Sequence, residues 1–442
     1  MSARQEKIFD WSIAGILFLL MIGFLFTQTP YVGHNAPTYS QFSIVRQPVY
    51  PIFLWLFSWL GRYQSIVVMW VQGLLTLLAL LYARKWLKKY LQLTDLTILP
   101  IILFVFLTIS FHYQVNSLDD PEGITFPLFI VTFFYLVECF FHLSLKRITL
   151  LSILVALLIL TRTQFYFFYP VFLLLIIFLF WKKAPKKYIM AVFCVFLLSA
   201  VITNLLDRSY HYWMNGQFTS EPLTGLILVI QPLYLASPTS ADYFSDPHER
   251  TAVKTILSEI NKQKWNREVF HLSQTKALYY ENANQEYGRN YLSIQRMVFK
   301  LMTGTSFEKM YDVDNSTFLT MNQELLHIST VLFFHNIKQN ALLYVFKIVD
   351  ALGNIPQLLF FIILLLSGFL KIFSTRNNHE TVAEIFTLLF LCVLLLNAMV
   401  VAAGEPNCTR YFCYTQFLLY CFGGYIAERL FSYVPEKARA FT

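Results

Sequence analysis

Long unbroken apolar runs constrain this chain more than any other feature. Ten stretches, at 10–28, 64–84, 95–114, 124–142, 148–164, 166–181, 187–206, 352–372, 382–403 and 409–427, are apolar almost throughout. A helix needs roughly 17–25 mainly apolar residues to cross a bilayer, where only its own backbone can satisfy its hydrogen bonds. Membrane barrels instead use alternating segments of about ten residues, and these runs do not alternate. Composition agrees. Of 442 residues, 57% are hydrophobic and 14% charged, whereas a soluble globule is about a quarter charged. The 44 Phe and 26 Tyr suit a bilayer core and its interfacial belts. A soluble enzyme, a disordered chain, a coiled coil and a collagen-like fibre are excluded. The expectation is an all-α membrane protein with about ten transmembrane helices.

The net charge of +8 has a topological explanation. Basic residues cluster before the first run (Arg4, Lys7) and after the second (Arg84, Lys85, Lys88, Lys89). They recur between later runs (Lys146 and Arg147; Lys182, Lys183, Lys186 and Lys187; Lys371 and Arg376) and at the end (Lys437, Arg439). With ten crossings every cluster falls on one side, which the positive-inside rule makes cytoplasmic. One missed crossing would split them. The chain is therefore expected in a membrane with both termini cytoplasmic, a bacterial inner membrane above all. Its surroundings are membrane lipids, and no nucleic acid is expected, since that needs a basic patch on one domain. The first run lacks a small-residue cleavage site and reads as a retained helix.

Three parts follow: an N-terminal module (1–206), an outer region (207–345) and C-terminal helices (346–442). The apolar piece at 49–60 is too short to cross and reads as an interfacial helix in the first outer loop. The outer region is long enough for one compact domain, either a solvated cap or a lid over a membrane-embedded cleft. It holds no glycine-rich phosphate loop, GxSxG or HExxH. Within Ser245–Arg250, Asp246 reads as a helix cap and Pro247 as the first helical residue. The six cysteines show no CxxC or Cys/His spacing and read as packing residues. Asn315-Ser316-Thr317 and Asn407-Cys408-Thr409 match the glycosylation sequon, which matters only in a eukaryotic host.

The unusual polar residues collect on the outer side. The first loop carries Tyr31-Val32-Gly33-His34-Asn35-Ala36-Pro37-Thr38-Tyr39, then Arg46-Gln47. Asp119, Asp120 and Glu122 place three carboxylates within four residues at the membrane edge. Such acids cost free energy unless solvated or paired. They read as a general base or metal ligands, or as a plain turn in which Pro121 starts the next helix. Arg162 and Arg410 stand on the outer side against the charge rule. Each could be a lone helix-end anchor. Together with Arg46 they make an anion site at headgroup depth, because guanidinium suits bidentate phosphate recognition.

In this order and on this side, these elements resemble the GT-C superfamily of membrane glycosyltransferases. Pro48-Val49-Tyr50-Pro51 matches the P-x-Y-P-like opening of its interfacial helix. Asp119, Asp120 and Glu122 stand at its second acidic position, Leu160-Thr161-Arg162-Thr163 at its L-x-R-x element, and Arg410-Tyr411 at its late R-Y element. The likeness covers about 1–206 and 350–430, and leaves out the central region. It implies transfer of a sugar from a polyprenyl-phosphate donor to a hydroxyl of a glycan, lipid or protein on the periplasmic or lumenal face. It implies Asn35, Tyr39, Arg46, Tyr50, Arg162, Arg410 and Tyr411 in substrate binding, and Asp119, Asp120, Glu122 or His34 in catalysis. The chain departs from the family at Asn35, four residues before Tyr39, where an acid usually stands. An amide cannot act as a base, so the role would pass to Asp119, Asp120 or His34, whose imidazole titrates near neutrality. Loss of activity or a different acceptor is the alternative. Carboxylates beside a phosphate would suit Mg²⁺ or Mn²⁺ equally. An O-antigen type polymerase or ligase is the nearest rival, and the interfacial helix straight after the first run favours the transferase. A transporter would place polar residues near the midplane, where the exceptions here are Glu138 and Asn397.

Overall fold

The computed structural model describes residues 3–33, 35–111, 118, 120–266, 279–374, 382–406 and 409–432, and its described architecture is helical. The first half runs α1 (Ala3–Thr27), α2 (Ala36–Ser40), α3 (Val49–Trp55), α4 (Gln64–Trp86), α5 (Asp95–Phe111), α6 (Glu122–Phe141), α7 (Leu145–Ile159), α8 (Phe168–Trp181) and α9 (Lys186–Asn215). Five helices follow: α10 (Thr224–Leu235), α11 (Pro247–Lys262), α12 (Tyr279–Thr303), α13 (Asn315–His335) and α14 (Ile337–Ala351). The chain closes with α15 (Ile355–Ser374), α16 (Val382–Gly404) and α17 (Cys413–Ser432).

Among the described residues, each apolar run of the sequence carries a helix. Among the described residues, six helical segments are long and apolar enough to cross a membrane, those containing α1, α4, α6, α8, α9 and α16. Counting the pair α14–α15 as one span, bent by 83°, makes seven. The bend is set where Gly353 adopts φ +106°, a conformation open to glycine. The runs that became α5, α7 and α17 fall outside that measure. Helix α7 stops after 15 residues, because Arg162 is extended (φ −153°) and breaks the chain before α8. At about 1.5 Å per residue it is shorter than a ~30 Å hydrocarbon core. Helix α9 goes the other way. It continues past the expected end at 206 to Asn215, and its last turns stand among the outer loops.

Helix α6 is apolar on all sides and lies in the centre, as such a helix must. Its Phe129, Phe133 and Phe134 are fully buried. Phe134 stacks on Phe386 of α16, and Phe129 meets Phe165 and Tyr414. At the end of the bundle away from the first loop, nearly buried Arg84 pairs with Asp10 and Asp95, each at 2.8 Å. Lys88 reaches the same two carboxylates, and Glu428 of α17 accepts from the Thr94 amide. The basic cluster after α4 is thus an ion network joining α1, α4 and α5 as well as a charge signal.

The outer helices build a core of their own. Val253, Ile256, Leu257 and Ile260 recur at helical spacing along α11 and face it, with Leu226, Val229, Ile230 and Leu233 of α10. The Asp246 cap is as expected, its carboxylate accepting from the His248 amide at 2.9 Å. Asp314 caps α13 in the same way. The Ser316 hydroxyl and the Thr317 amide and hydroxyl hold its carboxyl at about 2, below the ordinary 3.8. A group depressed in the folded state stabilises above its unfolded pKa and stops doing so as pH falls through the folded one. Asp314→Ala should therefore lower the melting temperature at neutral pH, and the gap from the parent should close as pH falls from 3.8 toward about 2. A gap independent of pH would remove the cap from this account.

Candidate functional site

Where the first loop, the α7–α8 break, the segment before α10 and the end of α16 converge, they enclose a cavity of about 300 Å³. The first loop is held by its own polar groups. The Thr38 hydroxyl donates to the Asn35 carbonyl at 2.6 Å and accepts from Arg46 Nε at 2.8 Å. Arg46 Nη2 donates to Asn35 Oδ1 at 3.5 Å, and its guanidinium lies 4.3 Å from the centre of the Tyr39 ring. Tyr39 meets Tyr50 edge-on at 5.0 Å, and the Tyr50 hydroxyl donates to Gln72 of α4. Two main-chain bonds pin this loop to the bundle. The Val49 amide donates to the Leu160 carbonyl at 3.0 Å, and the Leu118 amide to the Tyr31 carbonyl at 2.9 Å.

Arg162 enters the cavity from the break after α7. Its Nη1 lies 2.9 Å from Glu122 Oε1, and the Glu122 side chain is only 2% exposed. Its guanidinium sits 4.9 Å from the Tyr411 ring centre, while Nη1 also reaches Gln164 Oε1 at 3.4 Å. Tyr411 is fixed in turn, since Asn397 of α16 donates to its carbonyl at 3.1 Å. Glu122 opens α6, where a carboxylate is favoured by the helix dipole. Arg162 therefore has the Glu122 carboxylate behind it and an open cavity in front.

Two carboxylates line that cavity among the described residues, Glu221 and Glu405. Gln47 Nε2 donates to Glu221 Oε2. Burial pushes the Glu221 carboxyl up, against the lowering effect of the Gln47 bond and the Arg46 charge. Burial likewise raises the Tyr39 phenol, opposed by Arg46 and Arg162. Glu405 accepts from the Tyr411 hydroxyl at 3.5 Å. Ile227, Val400 and Val401 supply an apolar wall.

Of the residues singled out by sequence, Tyr39, Arg46, Arg162 and Tyr411 line this one cavity. Glu122, Asn35 and Tyr50 stand behind it, holding Arg162, Arg46 and Tyr39 respectively. Asp120 acts electrostatically on Tyr39. His34 and Asp119 lie outside the described residues, as does the side chain of Arg410. Glu221 and Glu405 are charged lining residues that the sequence did not single out. Glu405 stands five residues before Arg410 in the sequence, whereas nothing local marks Glu221 within a long polar stretch. Among the described residues no three His, Cys, Asp or Glu side chains gather as metal ligands, so the Mg²⁺ or Mn²⁺ expectation gains no ligand set here. Compared with family models, curated proteins and solved structures, the chain matches none.

Proposed function

We propose that this chain is a GT-C-like membrane glycosyltransferase that moves a sugar from a polyprenyl-phosphate donor to an acceptor hydroxyl. The carrying observation is Arg46 and Arg162 lining one cavity whose far wall is apolar. Guanidinium groups bind phosphate oxygens, and in a water-poor site they stabilise the charge that gathers on the departing phosphate. The sugar–phosphate bond breaks with its electron pair leaving on the phosphate. The acceptor oxygen bonds to the anomeric carbon, and its proton passes to a base. In this reading the ten helical runs each cross the bilayer, the termini and basic clusters are cytoplasmic, and the cavity faces the periplasm or lumen. Solute transport finds less support, because the amide of Asn397 in α16 donates to the Tyr411 carbonyl and Glu138 in α6 accepts from the Tyr82 hydroxyl.

The test is turnover. Purified full-length protein in lipid nanodiscs would be given undecaprenyl phosphate carrying radiolabelled mannose, glucose, galactose or arabinose. The expected result is release of undecaprenyl phosphate from at least one donor. No release from any donor, with unchanged surface glycans after deletion, would overturn the proposal. Transfer of long glycans alone would favour the polymerase or ligase.

A further inference from the structure

The Asn35 amide leaves the proposed reaction without its usual base, and the three glutamates in or against the cavity, Glu122, Glu405 and Glu221, differ sharply in availability. Glu122 is committed to Arg162 and almost wholly buried. Glu405 takes the Tyr411 hydroxyl and acts on the buried phenols of Tyr287 and Tyr291. Glu221 has a neutral partner, the Gln47 amide on Oε2, which fixes the carboxyl plane and leaves Oε1 for another donor. Behind it, in the overrun of α9, stand Asp207 and fully buried His211, one turn apart with Oδ1 and Nε2 separated by 3.5 Å. Neither His211 nitrogen has a hydrogen-bond partner among the described residues. Such a pair is costly to bury, and both members act electrostatically on Glu221.

We infer that Glu221 is the general base of the transfer, oriented by Gln47, with Asp207 and His211 as positioning residues that tune it. This inference rests on the transferase reading. The acceptor O–H gives its proton to Glu221 Oε1 as its oxygen bonds to the anomeric carbon. The phosphate departs with the electron pair toward Arg46 and Arg162, and Glu221 returns the proton to water. The groups acting on Glu221 are Gln47 and Arg46 of the first loop and Asp207 and His211 of α9. Asp207 raises its proton affinity and the Gln47 bond lowers it. The acid limb of kcat/KM reports the free-enzyme base, so Asp207→Asn should move it to lower pH and Gln47→Leu to higher pH.

The experiment uses full-length chains in nanodiscs, with undecaprenyl phosphate as the binding probe and the donor used by the parent as substrate. Glu221→Gln should bind the probe within about twofold of the parent yet transfer about a hundredfold more slowly, the usual worth of a general base. Glu221→Asp should recover part of the rate. Transfer by Glu221→Gln within about tenfold of the parent would overturn the assignment, as would acid limbs unmoved by Asp207→Asn and Gln47→Leu. A parent that neither binds the probe nor transfers fails the transferase reading itself and takes this inference with it. A parent that transfers while Glu221→Gln stays active fails the inference alone.

Discussion

On the proposed transferase function, Arg162→Ala is expected to lose transfer by more than about a hundredfold, and it should lower stability by about 3–5 kcal/mol. The two losses have separate causes. Arg162 is the charge partner of Glu122 at 2.9 Å, and that carboxylate is 2% exposed. Removing the cation strands a buried anion, which is the expensive way to break such a pair. Adding Glu122→Gln removes the stranded charge, so the double variant should regain most of the lost melting temperature. It should not regain transfer, because the phosphate has still lost its donor. Arg162→Lys keeps the charge but not the planar fork that addresses Glu122, Gln164 and the cavity together. It should fold nearly as the parent and transfer poorly. Thermal unfolding and donor turnover on the four chains decide the matter. A double variant that regains turnover along with stability would make Arg162 structural only.

Arg162 was legible in the sequence as a cavity residue for a definite reason: a cation on the side expected to be outer contradicts the charge rule, and the contradiction needs a cause. Arg46 was legible as one of three arginines on the expected outer side, and Tyr411 through the R-Y element. The apolar runs gave the helices, because a bilayer-crossing helix is a local property with a fixed length. What could not be read locally were the ends and the distant pairs. Helix α7 stops early where Leu160–Arg162 serve the first loop, through the bond from Val49 to Leu160. Helix α9 overruns because Asp207 and His211 are buried by outer elements, so its polar turns need not end at the membrane surface. Glu221 is the clearest case. Its meaning comes from Gln47, 174 positions away, and from α9 behind it. Pairings of that kind are written by the tertiary fold and leave no periodic trace in the chain.

The same distance effect governs Gly225, where Gly225→Ala should loosen the outer helices and weaken donor use. Gly225 lies in the first turn of α10, against the backbone of α13. Its amide donates to Asn322 Oδ1 at 2.7 Å. A Cβ there would lie 2.9 Å from that same atom and still closer to the Asn322 main-chain oxygen. Overpacking usually costs about 1–3 kcal/mol, and the upper end applies because a carbonyl inside a helix cannot turn aside. Leu226, Val229 and Ile230 follow directly in the outer core, while Leu223 and Ile227 form cavity wall. Displacing α10 should therefore lower the melting temperature and raise the KM for the donor more than it lowers kcat. Trimming Asn322 as well, in Gly225→Ala with Asn322→Ala, removes the side-chain clash and leaves the main-chain one. That double variant should recover neither property. Parental melting in Gly225→Ala, or full recovery on trimming Asn322, would show that the α10–α13 contact has slack its geometry denies.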